Sequence, residues 1–142
     1  MDQELVERAR TLLDLCRTKG LTIAAAESCT GGLLAATLTE IAGSSDVFER
    51  GFVTYSNEAK QAMVGVTSAT LASHGAVSRE TAEAMASGAL AHAPVHLAVS
   101  ITGIAGPGGA VPGKPVGLVH FAAASHAGRL IARERNYGDI GV

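Results

Sequence analysis

One serine in this chain sits where nucleophilic chemistry is done. Ser28 lies in Ala26-Glu27-Ser28-Cys29-Thr30-Gly31-Gly32, where a short apolar run gives way to a helical pattern. A strand-to-helix junction leaves backbone N–H groups without intrahelical partners. Those groups and the helix dipole stabilise a bound anion or the oxyanion of an acyl-transfer intermediate. Gly31 and Gly32 carry no side chains, so a ligand can approach the backbone there. The same segment also suits a plain helix cap by Ser28 or Thr30, with the glycines serving tight packing, and spacing alone leans toward the cap.

A serine hydroxyl needs a base to become a nucleophile. The five histidines (His74, His92, His96, His120 and His126) fall at helix ends, in turns or beside core positions, where packing or surface roles account for them. Lys60 is a better candidate. Tyr55 closes an apolar strand pattern and Lys60 follows one turn into the next helical segment. A lysine whose pKa is lowered by burial or by a second cation can accept the serine proton, and Tyr55 can relay or orient that proton. A solvated helical lysine is the ordinary alternative. Cys29 is a rival nucleophile, because thiolates are activated at helix N-termini. Adjacent residues point in different directions, so only one of Ser28 and Cys29 faces a cleft well.

A second glycine-dense loop, Thr102-Gly103-Ile104-Ala105-Gly106-Pro107-Gly108-Gly109, follows another strand pattern. Loops after strands are where α/β sheets bind ligands, and successive glycine N–H groups can cradle an anion. The loop is neither a Walker loop nor a dinucleotide fingerprint. Two such loops point to a shared small-molecule cleft. The expected substrate-contacting residues are Glu27, Thr30, Gly31, Gly32, Asn57, Thr102, Gly103, Gly106, Gly108 and Gly109.

The elements that must hold these residues can be read from periodicity and punctuation. Helical spacing runs over 3–18 and is stopped by Gly20. Strands are expected at 21–26, 51–55, 95–101, 116–124 and 129–136. Helices are expected over 30–42, over 58–64 with Asn57 as cap, after Thr67, and over 79–92 after Ser78. Interleaved helices and strands predict an α/β layered domain. The closing hairpin makes its sheet a mixed β-sheet.

Bulk properties exclude several functions. At 142 residues the chain suits one domain, with 47% hydrophobic and 17% charged residues. The net charge is −2 and no run of Lys or Arg occurs, so the surface expected of a nucleic-acid binder is missing. No apolar run is long enough for a membrane span. The N-terminus, Met1-Asp2-Gln3-Glu4, is unlike a signal peptide, and the two cysteines, Cys16 and Cys29, give no disulfide framework and no metal spacing. The compartment expected is cytoplasmic.

Taken together the motifs resemble the CinA C-terminal domain family, the PncC-type nicotinamide-nucleotide amidohydrolases. The likeness rests on residues 26–32, on Gly51-Phe52-Val53-Thr54-Tyr55-Ser56-Asn57-Glu58-Ala59-Lys60, on His74-Gly75-Ala76-Val77-Ser78, on residues 100–109, and on Lys114-Pro115-Val116-Gly117. It runs in order over about residues 5 to 139. The resemblance implies a three-layer α/β/α fold with a mixed β-sheet and an amidase that converts nicotinamide mononucleotide to nicotinate mononucleotide and ammonia in pyridine-nucleotide recycling. The family's catalytic Ser, Tyr and Lys match Ser28, Tyr55 and Lys60. It implies a nucleotide substrate, a homo-oligomer, and neither a metal nor an organic cofactor. The alternatives are a nucleotide-binding module without catalysis and an interaction protein linked to competence or DNA damage. The family pattern continues past a Gly-Asp into a helix bearing an arginine suited to clamp a phosphate. Here Gly138-Asp139 is followed by Ile140-Gly141-Val142, so the expectation is a single domain over 1–142 without that helix.

Overall fold

The computed structural model describes residues 1–141; Val142 lies outside the described residues. Helix α1 spans Gln3–Lys19, opened by the Asp2 carboxylate, which accepts from the Leu5 N–H, and closed by Gly20 in the left-handed conformation. It is followed by β1 (Ile23–Glu27), α2 (Leu33–Thr39), β2 (Phe48–Val53) and α3 (Asn57–Val64). Then come α4 (Ser68–His74), α5 (Arg79–His92), β3 (Leu97–Gly103), β4 (Leu118–Ser125) and β5 (Leu130–Asn136).

The five strands form one sheet in the order β2-β1-β3-β4-β5. β1 is parallel to both neighbours, while β3, β4 and β5 pair antiparallel, so the sheet is mixed as the hairpin implied. From β1 the chain steps outward to β2 through α2. It then returns past β1 to β3 through α3, α4 and α5. Right-handed crossovers in opposite directions put their helices on opposite faces. One layer is therefore α1 with α2, packed through Leu13, Cys16, Leu38 and Ile41 onto Ile23. The other is α3, α4 and α5, where Val64, Met85 and Ala89 meet Ala26 and Ala98. All of β1 is buried because both faces are covered. Its Ala24-Ala25-Ala26 run leaves room for helices on either side. On the α1/α2 face the helices stop short of β4 and β5, and Ile131 there stays exposed.

Three local expectations shift. Helix α2 begins at Leu33 rather than Thr30, because Gly31 and Gly32 adopt positive φ (59° and 110°), which a right-handed helix cannot contain. β2 runs 48–53 and the chain leaves the sheet at Thr54. The cap of α3 is Ser56, whose hydroxyl accepts from the Ala59 N–H; Asn57 is already the first helical residue. The Thr67 and Ser78 caps stand where the sequence puts them.

Candidate functional site

β1, β2 and β3 are parallel, so their C-terminal ends lie at one edge of the sheet. β1 is the strand at which the chain's direction of travel reverses, the usual crevice for a ligand in such sheets. Ser28 follows β1, Thr54 and Tyr55 follow β2, and Gly103 ends β3.

Strand alternation then sorts the residues around Ser28. The Ser28 N–H bonds to the Ile101 carbonyl at 3.0 Å, continuing the β1–β3 ladder one residue past β1. Neighbours on an extended chain point to opposite faces. Glu27 therefore turns under α2. Its Oε1 accepts from the Thr30 hydroxyl (2.6 Å) and the Leu34 N–H (2.9 Å), and its Oε2 accepts from the Ala35 N–H (2.9 Å). Ser28 turns toward α3, where the Lys60 Nζ lies 3.1 Å from its Oγ.

Lys60 is only 1% exposed. Its Nζ also donates to the carbonyls of Thr54 (2.9 Å) and Tyr55 (3.3 Å). A neutral amine has two N–H donors and one lone pair. In that form the two carbonyls would take the donors and leave the lone pair to the serine hydroxyl. Desolvation pushes the Lys60 pKa below the usual lysine range, with the neighbouring Cys29 acting in the opposite direction. Burial also pushes the Cys29 thiol up, opposed by its own N–H and by Lys60. The thiolate that a cysteine nucleophile needs is thus disfavoured. The N-terminus of α2, which would otherwise activate it, is occupied by Glu27.

Ser28, Tyr55, Asn57, Lys60, Thr102, Gly103, Gly106, Gly108 and Gly109 all line one cavity of about 300 Å³, together with Cys29, Ala76, Val77, Ile104 and Ala105. The sequence thus brings together nine of its thirteen expected site residues. Glu27, Gly31 and Gly32 are not among the residues lining this cavity. The Glu27 carboxylate is spent on the turn and on α2, and the glycines supply the positive-φ backbone that turns the chain. Thr30 gives its hydroxyl to Glu27 and lines a neighbouring apolar cavity of about 270 Å³. Tyr55 contributes its carbonyl to Lys60, while the residue is 71% exposed at the cavity mouth. Ala76 and Val77 carry no chemistry-bearing side chain, and their only signal was the His74–Ser78 motif. Thr102 fixes them: its hydroxyl donates to the Ala76 carbonyl at 2.8 Å.

Among the described residues, the Cys29 and Thr30 N–H groups have no backbone or side-chain acceptor across the protein, whereas those of Ser28 and Gly31 are taken by Ile101 and Ser28 carbonyls. Donors for an oxyanion are therefore available immediately after the serine.

Comparison with known proteins places the chain in a family. The family profile described as the CinA C-terminal domain matches residues 5–140. The chain belongs to the CinA C-terminal domain family. It is 53% identical over 132 residues to the nicotinamide-nucleotide amidohydrolase PncC of Escherichia coli K12, covering 93% of this chain and 80% of that protein. It is also 53% identical over 125 residues to a CinA-like protein of Geobacter sulfurreducens, of which it spans 30%. Among solved structures, the competence/damage inducible protein CihA from Agrobacterium tumefaciens superposes with a TM-score of 0.96 at 52% identity, covering 99% of this chain and 86% of that one. A CinA superfamily protein from Escherichia coli superposes with a TM-score of 0.91 at 30% identity. Family membership and the α/β/α architecture with a mixed sheet therefore stand as the motifs indicated.

Proposed function

We propose that this chain is an amidohydrolase that deamidates nicotinamide mononucleotide to nicotinate mononucleotide and ammonia, with Ser28 as nucleophile and Lys60 as its base. The observation that carries the reading is the 3.1 Å contact between the Lys60 Nζ and the Ser28 Oγ, made by a buried amine whose other contacts are carbonyls. The identity to a protein named as a nicotinamide-nucleotide amidohydrolase supplies the substrate.

In this mechanism neutral Lys60 takes the Ser28 proton as Oγ attacks the carboxamide carbon. The oxyanion is held by the free N–H groups of Cys29 and Thr30, where one such donor is worth about 10²- to 10³-fold in rate. Lys60 then returns the proton to the departing nitrogen, the C–N bond breaks, and ammonia leaves. Water attacks the acyl-serine with Lys60 again as base, releasing nicotinate mononucleotide and restoring the Ser28 hydroxyl. Tyr55 and Asn57, at the mouth of the cavity, orient the pyridine ring, and Tyr55 relays or orients the Ser28 proton. The glycine N–H groups of the 102–109 loop receive the ribose phosphate. No metal or organic cofactor takes part. The reaction belongs to cytoplasmic pyridine-nucleotide recycling by a homo-oligomer, which sedimentation of the purified chain checks.

Ammonia release from nicotinamide mononucleotide is the deciding assay. Turnover by the wild-type chain, abolished in Ser28→Ala, supports the proposal. Binding of the nucleotide without turnover sinks it and leaves a nucleotide-binding module.

A further inference from the structure

Two motifs have no part in the chemistry above, His74–Ser78 and Lys114–Gly117, and the structure joins them. The loop between β3 and β4 is closed at its base by reciprocal bonds: Ile104 N–H to Leu118 O at 2.9 Å and Gly117 N–H to Ile104 O at 2.7 Å. Its tip is a turn, Val111-Pro112-Gly113-Lys114, in which Val111 and Lys114 exchange backbone hydrogen bonds of 3.1 and 2.9 Å. Proline presets the second position, and Gly113 takes a φ of 79° that other residues avoid. Lys114 is thereby presented from a stiff support.

Its Nζ donates to the His74 carbonyl at 2.5 Å, in a neighbouring pocket that shares Val77 with the cavity. That carbonyl ends α4, where a cation also meets the negative end of the helix dipole. Gly75 makes room: a Cβ there would stand 2.8 Å from the lysine nitrogen. The next two carbonyls are pinned as well, Gly75 O by the Ser78 and Thr81 hydroxyls and Ala76 O by Thr102. The wall carrying Ala76 and Val77 is thus fixed to the protein body. Lys114 is the side chain that ties the glycine loop forming the opposite wall to it.

We propose that Lys114 is a positioning residue, a latch that holds the 104–117 loop against the 74–77 wall and so sets the width of the cavity. The functional consequence rests on that cavity being the amidase site. Lys114 touches no reacting atom in this role, so it acts on substrate affinity more than on chemistry.

The test uses the full chain as wild type, Lys114→Ala and Lys114→Arg. In ligand-free protein, hydrogen exchange at the bonded N–H groups of Val111 and Gly117 should run about tenfold faster in Lys114→Ala, the loss expected for one hydrogen bond from a charged donor, with β1 and β3 unchanged. Lys114→Arg should restore most of the protection. In ammonia release from nicotinamide mononucleotide, Lys114→Ala should raise KM about tenfold and leave kcat within about twofold. Unchanged exchange at Val111 and Gly117 overturns the latch, as does a loosening spread over the whole sheet. Faster exchange with an unchanged KM overturns the positioning role. If the wild type releases no ammonia, the amidase reading fails separately, and the exchange measurement still decides the latch.

Discussion

Glu27 and Ser28 are adjacent in the chain and serve opposite faces of the sheet. The Glu27 carboxylate accepts from the Leu34 and Ala35 N–H groups on one side, and the Ser28 hydroxyl meets Lys60 on the other. The alternation of an extended strand makes this division. Removing the Glu27 side chain should therefore act on stability first. Glu27→Ala leaves two N–H groups of α2 and the Thr30 hydroxyl without their acceptor, and should cost about 2–3 kcal/mol in urea unfolding. An unchanged unfolding midpoint would contradict the role assigned to it.

Ser28 and Cys29 can be separated directly. Ser28→Ala should lower kcat by at least about 10³-fold, while Cys29→Ala should stay within about tenfold of wild type. Steady-state ammonia release decides. Activity lost in Cys29→Ala and kept in Ser28→Ala would reverse the assignment.

The base acts only when neutral, which fixes the pH dependence. Burial lowers the Lys60 pKa from its ordinary value near 10.5, so the neutral amine is reached at lower pH. kcat/KM should rise with pH through the depressed pKa and level off above it, the plateau starting below pH 10.5. The same shift links to stability. Between the depressed pKa and 10.5 the unfolded chain binds the proton that the folded chain lacks, so stability rises with pH across that window. Lys60→Met should abolish turnover and flatten both profiles. Either profile persisting in the variant would remove Lys60 as its source.

Ser56 and Asn57 divide capping from contact. Ser56 caps α3 and Asn57 lines the cavity. Ser56→Ala should cost about 1 kcal/mol of stability. Asn57→Ala should leave the unfolding midpoint nearly unchanged and raise KM. Reversal of the two effects would return the cap to Asn57.

Gly88 offers a test of packing with an inverted sign. It lies inside α5, where replacement of glycine by alanine ordinarily gains about 1 kcal/mol. Here a Cβ would stand 1.8 Å from the Val64 carbonyl oxygen at the end of α3, so Gly88→Ala should displace α3 and destabilise the fold. Thermal unfolding at or above the wild-type midpoint would show that α3 can yield. Because α3 carries Lys60, the displacement should also cut activity.

Most of the architecture could be read before any coordinates. Gly20 ended α1, Thr67 and Ser78 capped their helices, and the closing hairpin announced a mixed sheet, because these signals depend on residues a few positions apart. The start of α2 is not legible locally, because Thr30 resembles a cap while the backbone needs of Gly31 and Gly32 outweigh it. The α3 cap falls one residue before the Asn57 expected from the sequence, since Ser and Asn are nearly equal as caps and the geometry of the chain leaving β2 favours Ser56.

The site divides in the same way. The sequence by itself determined the residue types that can react, the strand-to-turn setting of Ser28, the helical setting of Lys60 and the family those motifs mark. Only the tertiary structure decided which side chains face one another. Ser28 and Lys60 are 32 positions apart and meet because β1 and β2 are parallel neighbours with their C-terminal ends together. Lys114 reaches His74 over 40 positions because the loop after β3 folds back toward the end of α4. Local propensity fixes elements over one or two turns. Contacts at these separations are set by sheet order and crossover handedness, and one strand's alternation assigned Glu27 to the scaffold and Ser28 to the cavity.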